Sequence, residues 1–125
     1  MTKPSIAILG ASSDPQKFGH KAVKAYLQQG YDVYPVNPKG GEIAGCQVYS
    51  SLEEIPLQRL DRITVYLPPA VGMQMLDAIA AKPHGDLLFN PGSESDELLE
   101  KAREKGLDPI VACSIVDIGM SPADV

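Results

Sequence analysis

Ile6-Ala7-Ile8-Leu9 is an uninterrupted apolar run without charge, the pattern of a strand covered on both faces. Gly10 ends it where a sharp turn has no room for a side chain. A helical period begins near Phe18 to His20 and carries Val23, Tyr26 and Leu27 on one face, with Gly30 suited to a left-handed cap. Asp32 to Val36 reads as a second strand. Pro35 cannot donate to a ladder, which predicts a strand end or a gap in pairing there. Gln47 to Tyr49 reads as a short edge strand. Ser51 and Glu54 stand at capping-box spacing before a short helix closed by Pro56. Arg62 to Leu67 is a β-branched strand ending in Pro68-Pro69. A helix is predicted from Ala70 to Ala81, with Val71, Met75, Leu76 and Ile79 at helical spacing. Asp86 to Phe89 is the next strand. Asp96 to Lys105 is a helix with Leu98, Leu99 and Ala102 inward, acidic in its first turn and basic in its last. Pro109 to Ala112 is a last strand, and Cys113 to Val125 has no clear period.

Strands alternate with helices throughout. That pattern predicts one doubly wound α/β domain, residues 1–125, with a mostly parallel sheet of about five strands and helices on both faces. Ligands of such sheets sit outside the carboxyl ends of the strands. The loops at those ends are Gly10 to Lys17, Asn37 to Gly41, Pro68-Pro69 and Asn90 to Ser93, the most glycine-, proline- or serine-rich in the chain. At the first of them, free backbone N–H groups and the positive end of a helix dipole meet, a combination that attracts phosphate.

Composition narrows the ligand. With 125 residues, 44% hydrophobic and 22% charged, the chain is an ordinary globular domain. A net charge of −5 argues against nucleic acid or an anionic membrane as partner, and no apolar run is long enough to span a bilayer. Met1-Thr2-Lys3-Pro4 leads into the first strand with no space for a signal peptide. Two cysteines, Cys46 and Cys113, fit neither a disulfide framework nor a metal site, so a cytoplasmic location is expected.

Dinucleotide binding predicts G-x-G-x-x-G after the first strand and an acidic residue ending the second. Neither is present. Gly10 and Gly19 are too far apart, Ala11-Ser12 stands where a second glycine belongs, and the second strand ends at Asn37. Ser12 and Ser13 offer hydroxyls instead, in a loop longer than capping needs, against the ordinary alternative of capping the first helix or an Asx/Ser turn. Lys39 lies between Asn37-Pro38 and two glycines. A cation there suits a phosphate monoester better than a bare ribose, against the ordinary alternative of a solvated loop lysine.

Taken together, Gly10-Ala-Ser-Ser-Asp-Pro15, Phe18-Gly-His20, Gly30 to Lys39 with its Pro-Val-Asn-Pro-Lys, Tyr49 to Leu52, Asp61 to Pro69, Pro91-Gly92 and the region of Cys113 carry a resemblance. The chain resembles the small stand-alone CoA-binding proteins, whose Rossmann-like domain is related to the nucleotide-binding domain of the succinyl-CoA synthetase alpha subunit. The match runs almost end to end. It implies binding of the ADP part of coenzyme A or an acyl-CoA. By similarity, Ser12, Ser13, Asp14 and Pro15 match the first phosphate loop, and Lys39 pairs with a CoA phosphate. Phe89, Asn90 and Pro91 match a third contact segment before the shared Gly92, and Pro68-Pro69 resembles a proline pair beside the nucleotide. Gly10, Ala11, Lys17, Phe18, Asn37 and Pro38 complete the candidate set around these loops. Two departures are visible. The synthetase's second domain, with its phosphorylated histidine, has no counterpart in these residues, and Leu88, Phe89 and Asn90 stand where many members carry a tryptophan and glutamine.

The other chemistry-bearing residues do not read as catalytic. His20 lies at a helix start beside the phosphate loop, with no partner at catalytic spacing, and reads as a residue that contacts ligand or solvent. His84 reads as an exposed loop residue. Cys113 reads as a small buried residue, with a thiol close to the reactive end of CoA as the sharper alternative. No acid, base and nucleophile set is visible, so the expectation is a binding or regulatory module without catalysis, with a small-molecule nucleotide ligand and a homodimer left open. Two other classes stand beside it: an NAD(P)-binding oxidoreductase component, and a protein-interaction subunit with a vestigial pocket. An apolar surface exposed between Ile115 and Val125 would favour the last.

Overall fold

The apolar run at the start becomes β1 (Ser5–Leu9), buried at all five positions. It leads in chain order to α1 (Phe18–Gln28), β2 (Asp32–Val36), a hairpin of β3 (Glu42–Ile43) and β4 (Cys46–Gln47), and a 3-10 turn at Leu52–Glu54. Then come β5 (Leu60–Val65), α2 (Pro69–Ala81), β6 (His84–Phe89), α3 (Asp96–Glu104), β7 (Pro109–Val111), α4 (Ser114–Asp117) and a 3-10 turn at Pro122–Asp124. This computed structural model describes residues 3–125; Met1 and Thr2, at the start of the N-terminal lead, lie outside them.

Five strands form one parallel sheet in the order β2-β1-β5-β6-β7. The order reverses between β1 and β5, which is the switch point of a doubly wound sheet. Register levels the carboxyl ends: Leu9 lies opposite both Val36 and Val65, and Phe89 opposite both Val65 and Val111. All the following loops therefore leave from one edge. Alternation along β1 divides the core. Ile6 and Ile8 pack with Ala22, Val23 and Tyr26 of α1 and Ile115 of α4. Ala7 and Leu9 pack with Leu76 and Ile79 of α2 and Leu98 and Ala102 of α3. The doubly wound sheet with helices on both faces is what the alternation predicts, and the Rossmann-like class is what the resemblance implies.

Several local readings need correction. Pro35 sits inside β2 opposite Ile8, not at its end. Its carbonyl accepts from Tyr49 N–H on the outer side of this edge strand, so the missing N–H takes no bond from the ladder. The edge strand read at Gln47 to Tyr49 is instead the β3–β4 hairpin plus a single bridge from Tyr49 to Val36. Ser51 makes no side-chain cap, because Glu54 turns its carboxylate to the N–H and hydroxyl of Ser50. Leu27 and Val71, assigned to inward faces, are exposed, and Gly72 takes the inward position in α2. β6 starts at His84, whose Nδ1 lies 2.6 Å from the Lys82 carbonyl oxygen. The tail is ordered by a short helix and a 3-10 turn. Ile115 is buried and Ile118, Met120 and Val125 pack against the α1 side, while Val116 is exposed.

Candidate functional site

A cavity of about 780 Å³ opens at the carboxyl edge, over the switch point. The loop after β1 and the first turn of α1 give it Gly10, Ala11, Ser12, Gln16, Lys17, Phe18 and Gly19. Asn37 and Lys39 come from the loop after β2, Tyr66 to Pro69 from the loop after β5, and Pro91 to Ser93 from the loop after β6.

The loop after β1 is shaped by close backbone packing. Gly10 has φ +84°, and a Cβ there would lie 2.5 Å from the Tyr66 carbonyl oxygen. Its N–H donates to Val36 at 3.2 Å, which ties this loop to the end of β2. Gly19 is buried against the carbonyl of Gly10, so α1 approaches the loop at the distance that only a glycine allows. Lys17 is the N-cap residue, and no side chain caps α1. The N–H groups of Phe18 and Gly19, like those of Ala11, Ser12 and Ser13, have no acceptor among the described residues. Of the two roles open to Ser12, the serine turn is present: its Oγ accepts from Asp14 N–H at 3.1 Å, and the hydroxyl hydrogen stays available. Asp14 Oδ1 in turn accepts from Gln16 N–H at 2.9 Å.

Positive charge comes from Lys17 and Lys39, both exposed and neither in an ion pair among the described residues. Asn37 joins the two loops: its Nδ2 donates to the Ala11 carbonyl at 2.8 Å, and its Oδ1 accepts from Lys39 N–H at 2.9 Å. At the other wall, Pro68 and Pro69 occupy the N-cap and first position of α2, where a missing N–H costs nothing. Tyr66 lines the cavity, while its hydroxyl shares a 2.7 Å hydrogen bond with Ser114 Oγ. Burial pushes that hydroxyl above its ordinary range, with Ser114 partly offsetting it.

The cavity thus brings together Gly10, Ala11, Ser12, Lys17, Phe18, Asn37, Lys39, Pro68, Pro69, Pro91 and Gly92 from the expected set. Ser13, Asp14, Pro15 and Pro38 stand exposed beside it in the same loops. Phe89 and Asn90 face elsewhere. The Phe89 ring is wholly buried in the core. Asn90 is buried too, and its amide is fully used: Nδ2 donates to Thr64 Oγ1 at 2.7 Å and to the Val65 carbonyl at 2.9 Å, and Oδ1 accepts from Ser114 N–H at 2.8 Å. These two positions hold the end of β6 and the start of α4. Sequence reasoning left out Gln16, Gly19, Tyr66, Leu67 and Ser93. Gly19 was visible as a glycine at a helix start, and Tyr66-Leu67 as residues running into Pro68.

Known proteins are similar to this chain in sequence and in fold. The acetate–CoA ligase [ADP-forming] I subunit alpha of Pyrococcus furiosus is 31% identical over 135 aligned positions, covering 95% of this chain and 29% of its own length. The chain therefore spans under a third of that subunit. An uncharacterized protein of Bacillus subtilis, YneT, is 42% identical over 105 positions, 81% of this chain and 74% of its own. Among solved structures, a conserved hypothetical protein from Pyrococcus furiosus superposes with a TM-score of 0.81 at 33% identity, covering 91% of this chain and 98% of that one. The structure of cell-free ID.343 from Thermus thermophilus gives 0.80 at 32% identity, covering 92% of this chain and 87% of that one. The family model for the CoA binding domain matches residues 4–119, from the lead into β1 to the tail beyond α4, and the chain belongs to that family.

Proposed function

We propose that the protein binds coenzyme A or an acyl-CoA through its ADP and phosphate part, and binds it without catalysing a reaction. One observation carries this: in a chain of the CoA-binding domain family, a single cavity walled by the loops after four strands gathers Lys17 and Lys39, unpaired among the described residues, and the unpartnered backbone N–H groups of the loop after β1 and the start of α1. The diphosphate rests on the Gly10 to Pro15 backbone and the start of α1, where N–H donors and the helix dipole act together. Lys39 neutralises the phosphate monoester. The adenine lies between the loops after β2 and β6, with Pro91 and Gly92 as its neighbours. That a similar ligase subunit is named for CoA supports the ligand class. The ionisable residues lining the cavity are Lys17, Lys39 and Tyr66, a set that supports binding more than acid–base chemistry.

Isothermal titration of the purified chain with CoA, beside NAD, NADP and ATP, tests the proposal. Micromolar CoA binding, with the other three at least tenfold weaker, is the expected result. Preference for NADP would move the protein to the oxidoreductase reading. Absence of heat with all four would overturn the proposal and turn attention to protein partners.

A further inference from the structure

Two side chains hold the loop after β1 by its carbonyls. Nδ1 of His20 lies 2.8 Å from the Ser12 carbonyl oxygen, and Nδ2 of Asn37 donates to the Ala11 carbonyl at 2.8 Å. A carbonyl only accepts, so the shared hydrogen at His20 sits on Nδ1. In a trans peptide the C=O and the following N–H point in opposite directions. Fixing the Ala11 carbonyl therefore fixes the Ser12 N–H, and fixing the Ser12 carbonyl fixes the Ser13 N–H. Each is turned away from the side chain that holds its plane. Neither N–H has an acceptor among the described residues, and Ser13 is exposed. The Asp14 and Gln16 N–H groups, by contrast, are taken by Ser12 Oγ and Asp14 Oδ1. The same Asn37 amide accepts from Lys39 N–H, which links the peptide planes of the first loop to the cation of the second.

We propose that His20 and Asn37 are positioning residues that set the peptide planes from Ala11 to Ser13, so that two consecutive N–H groups are left to a phosphate of the ligand. His20 does not line the cavity and acts through the Ser12 peptide; Asn37 acts through Ala11 and Lys39. The inference rests on the CoA-binding reading and adds to it which residues fix the phosphate donors.

The test compares CoA titrations and melting curves of the full chain with those of His20→Ala, His20→Asn and Asn37→Asp. An asparagine at 20 can place an amide N–H near the position of Nδ1 and restore the bond to Ser12. An aspartate at 37 still accepts from Lys39 N–H but, ionised, has no hydrogen for Ala11. His20→Ala and Asn37→Asp are expected to weaken CoA binding about tenfold, the equivalent of one net hydrogen bond. His20→Asn should stay within about threefold of wild type, which a bulk stability effect would not produce. His20→Ala binding like wild type, or His20→Asn falling as far as His20→Ala, overturns the inference while the binding reading stands. Should His20→Ala fail to fold, wild-type affinity in Asn37→Asp overturns it equally, and a tenfold loss there with His20→Asn intact supports it. A wild-type chain that does not bind CoA takes down both.

Discussion

Replacing Gly19 by alanine adds one methyl group to the first turn of α1, and its effect should run against the usual sign. Alanine in a helix is ordinarily favoured over glycine by about 0.5–1 kcal/mol. At Gly19 the new Cβ would fall inside van der Waals contact with the Gly10 carbonyl oxygen, 3.2 Å from the carbonyl carbon and 3.3 Å from Ala11 Cα. All three are backbone atoms of the cavity loop, so no side chain can swing aside. Gly10 cannot yield either, because its N–H is bonded to Val36 and its far side faces the Tyr66 carbonyl. Helix α1 must back away from the loop. Forcing a methyl group into a packed contact costs about 1–3 kcal/mol. Less the helix preference, the net loss is about 0.5–2 kcal/mol, a fall in melting midpoint of about 2–8 °C. CoA affinity should fall as well, since the Phe18 and Gly19 N–H groups retreat with the helix. Gly72 in α2 is the control. An added Cβ there meets the end of the Leu98 side chain at 3.2 Å and nothing else closer than 3.9 Å, so Gly72→Ala should stay within about 0.5 kcal/mol of wild type. Thermal unfolding and CoA titration of both variants decide the matter. A Gly19→Ala protein that melts at or above wild type, or no lower than Gly72→Ala, refutes the close-approach argument.

Asn90→Ala should lower stability by about 2–4 kcal/mol, because it leaves Ser114 N–H and Thr64 Oγ1 buried without their partner; urea unfolding measures it. Lys39→Ala should weaken CoA by more than threefold and leave dephospho-CoA nearly unchanged, since a charge-assisted contact is worth roughly 1.5–3 kcal/mol. Asp61 is held below its ordinary carboxylate value, chiefly by the Ser5 backbone N–H at 2.7 Å, with burial opposing. Its contribution is therefore present above the unfolded value and lost as pH falls through the lower folded one. Asp61→Asn should destabilise the chain near neutral pH, with the gap to wild type closing in acid; melting midpoints across pH read this directly.

The sheet and the site edge were legible because their signals are local. Four apolar residues before Gly10, and proline- or glycine-rich loops after four of the strands, need no tertiary knowledge to be placed. What escaped depends on contacts far apart in sequence. The β3–β4 hairpin has two residues on each strand, too few for a period, and turns on Ala44 and Gly45, both at positive φ. Its alanine gives no turn signal. The tail is ordered by Ser114, whose carbonyl accepts from Tyr26, whose hydroxyl pairs with Tyr66 and whose N–H reaches Asn90, partners from three distant segments. Phe89 and Asn90 were carried to the ligand by resemblance of position. Burial at the end of β6 points both side chains inward and leaves the wall to Pro91 and Gly92. Gly19 was read as part of a missing fingerprint, while its role is to let a helix touch a loop.

The central claim, a CoA site with its phosphate monoester on Lys39, is tested most directly by titrating the wild-type chain with CoA and dephospho-CoA side by side. These ligands differ only in that monoester. Micromolar CoA binding with dephospho-CoA about tenfold or more weaker is the predicted result. Equal affinities would contradict the role given to Lys39, and silence from both would contradict the site.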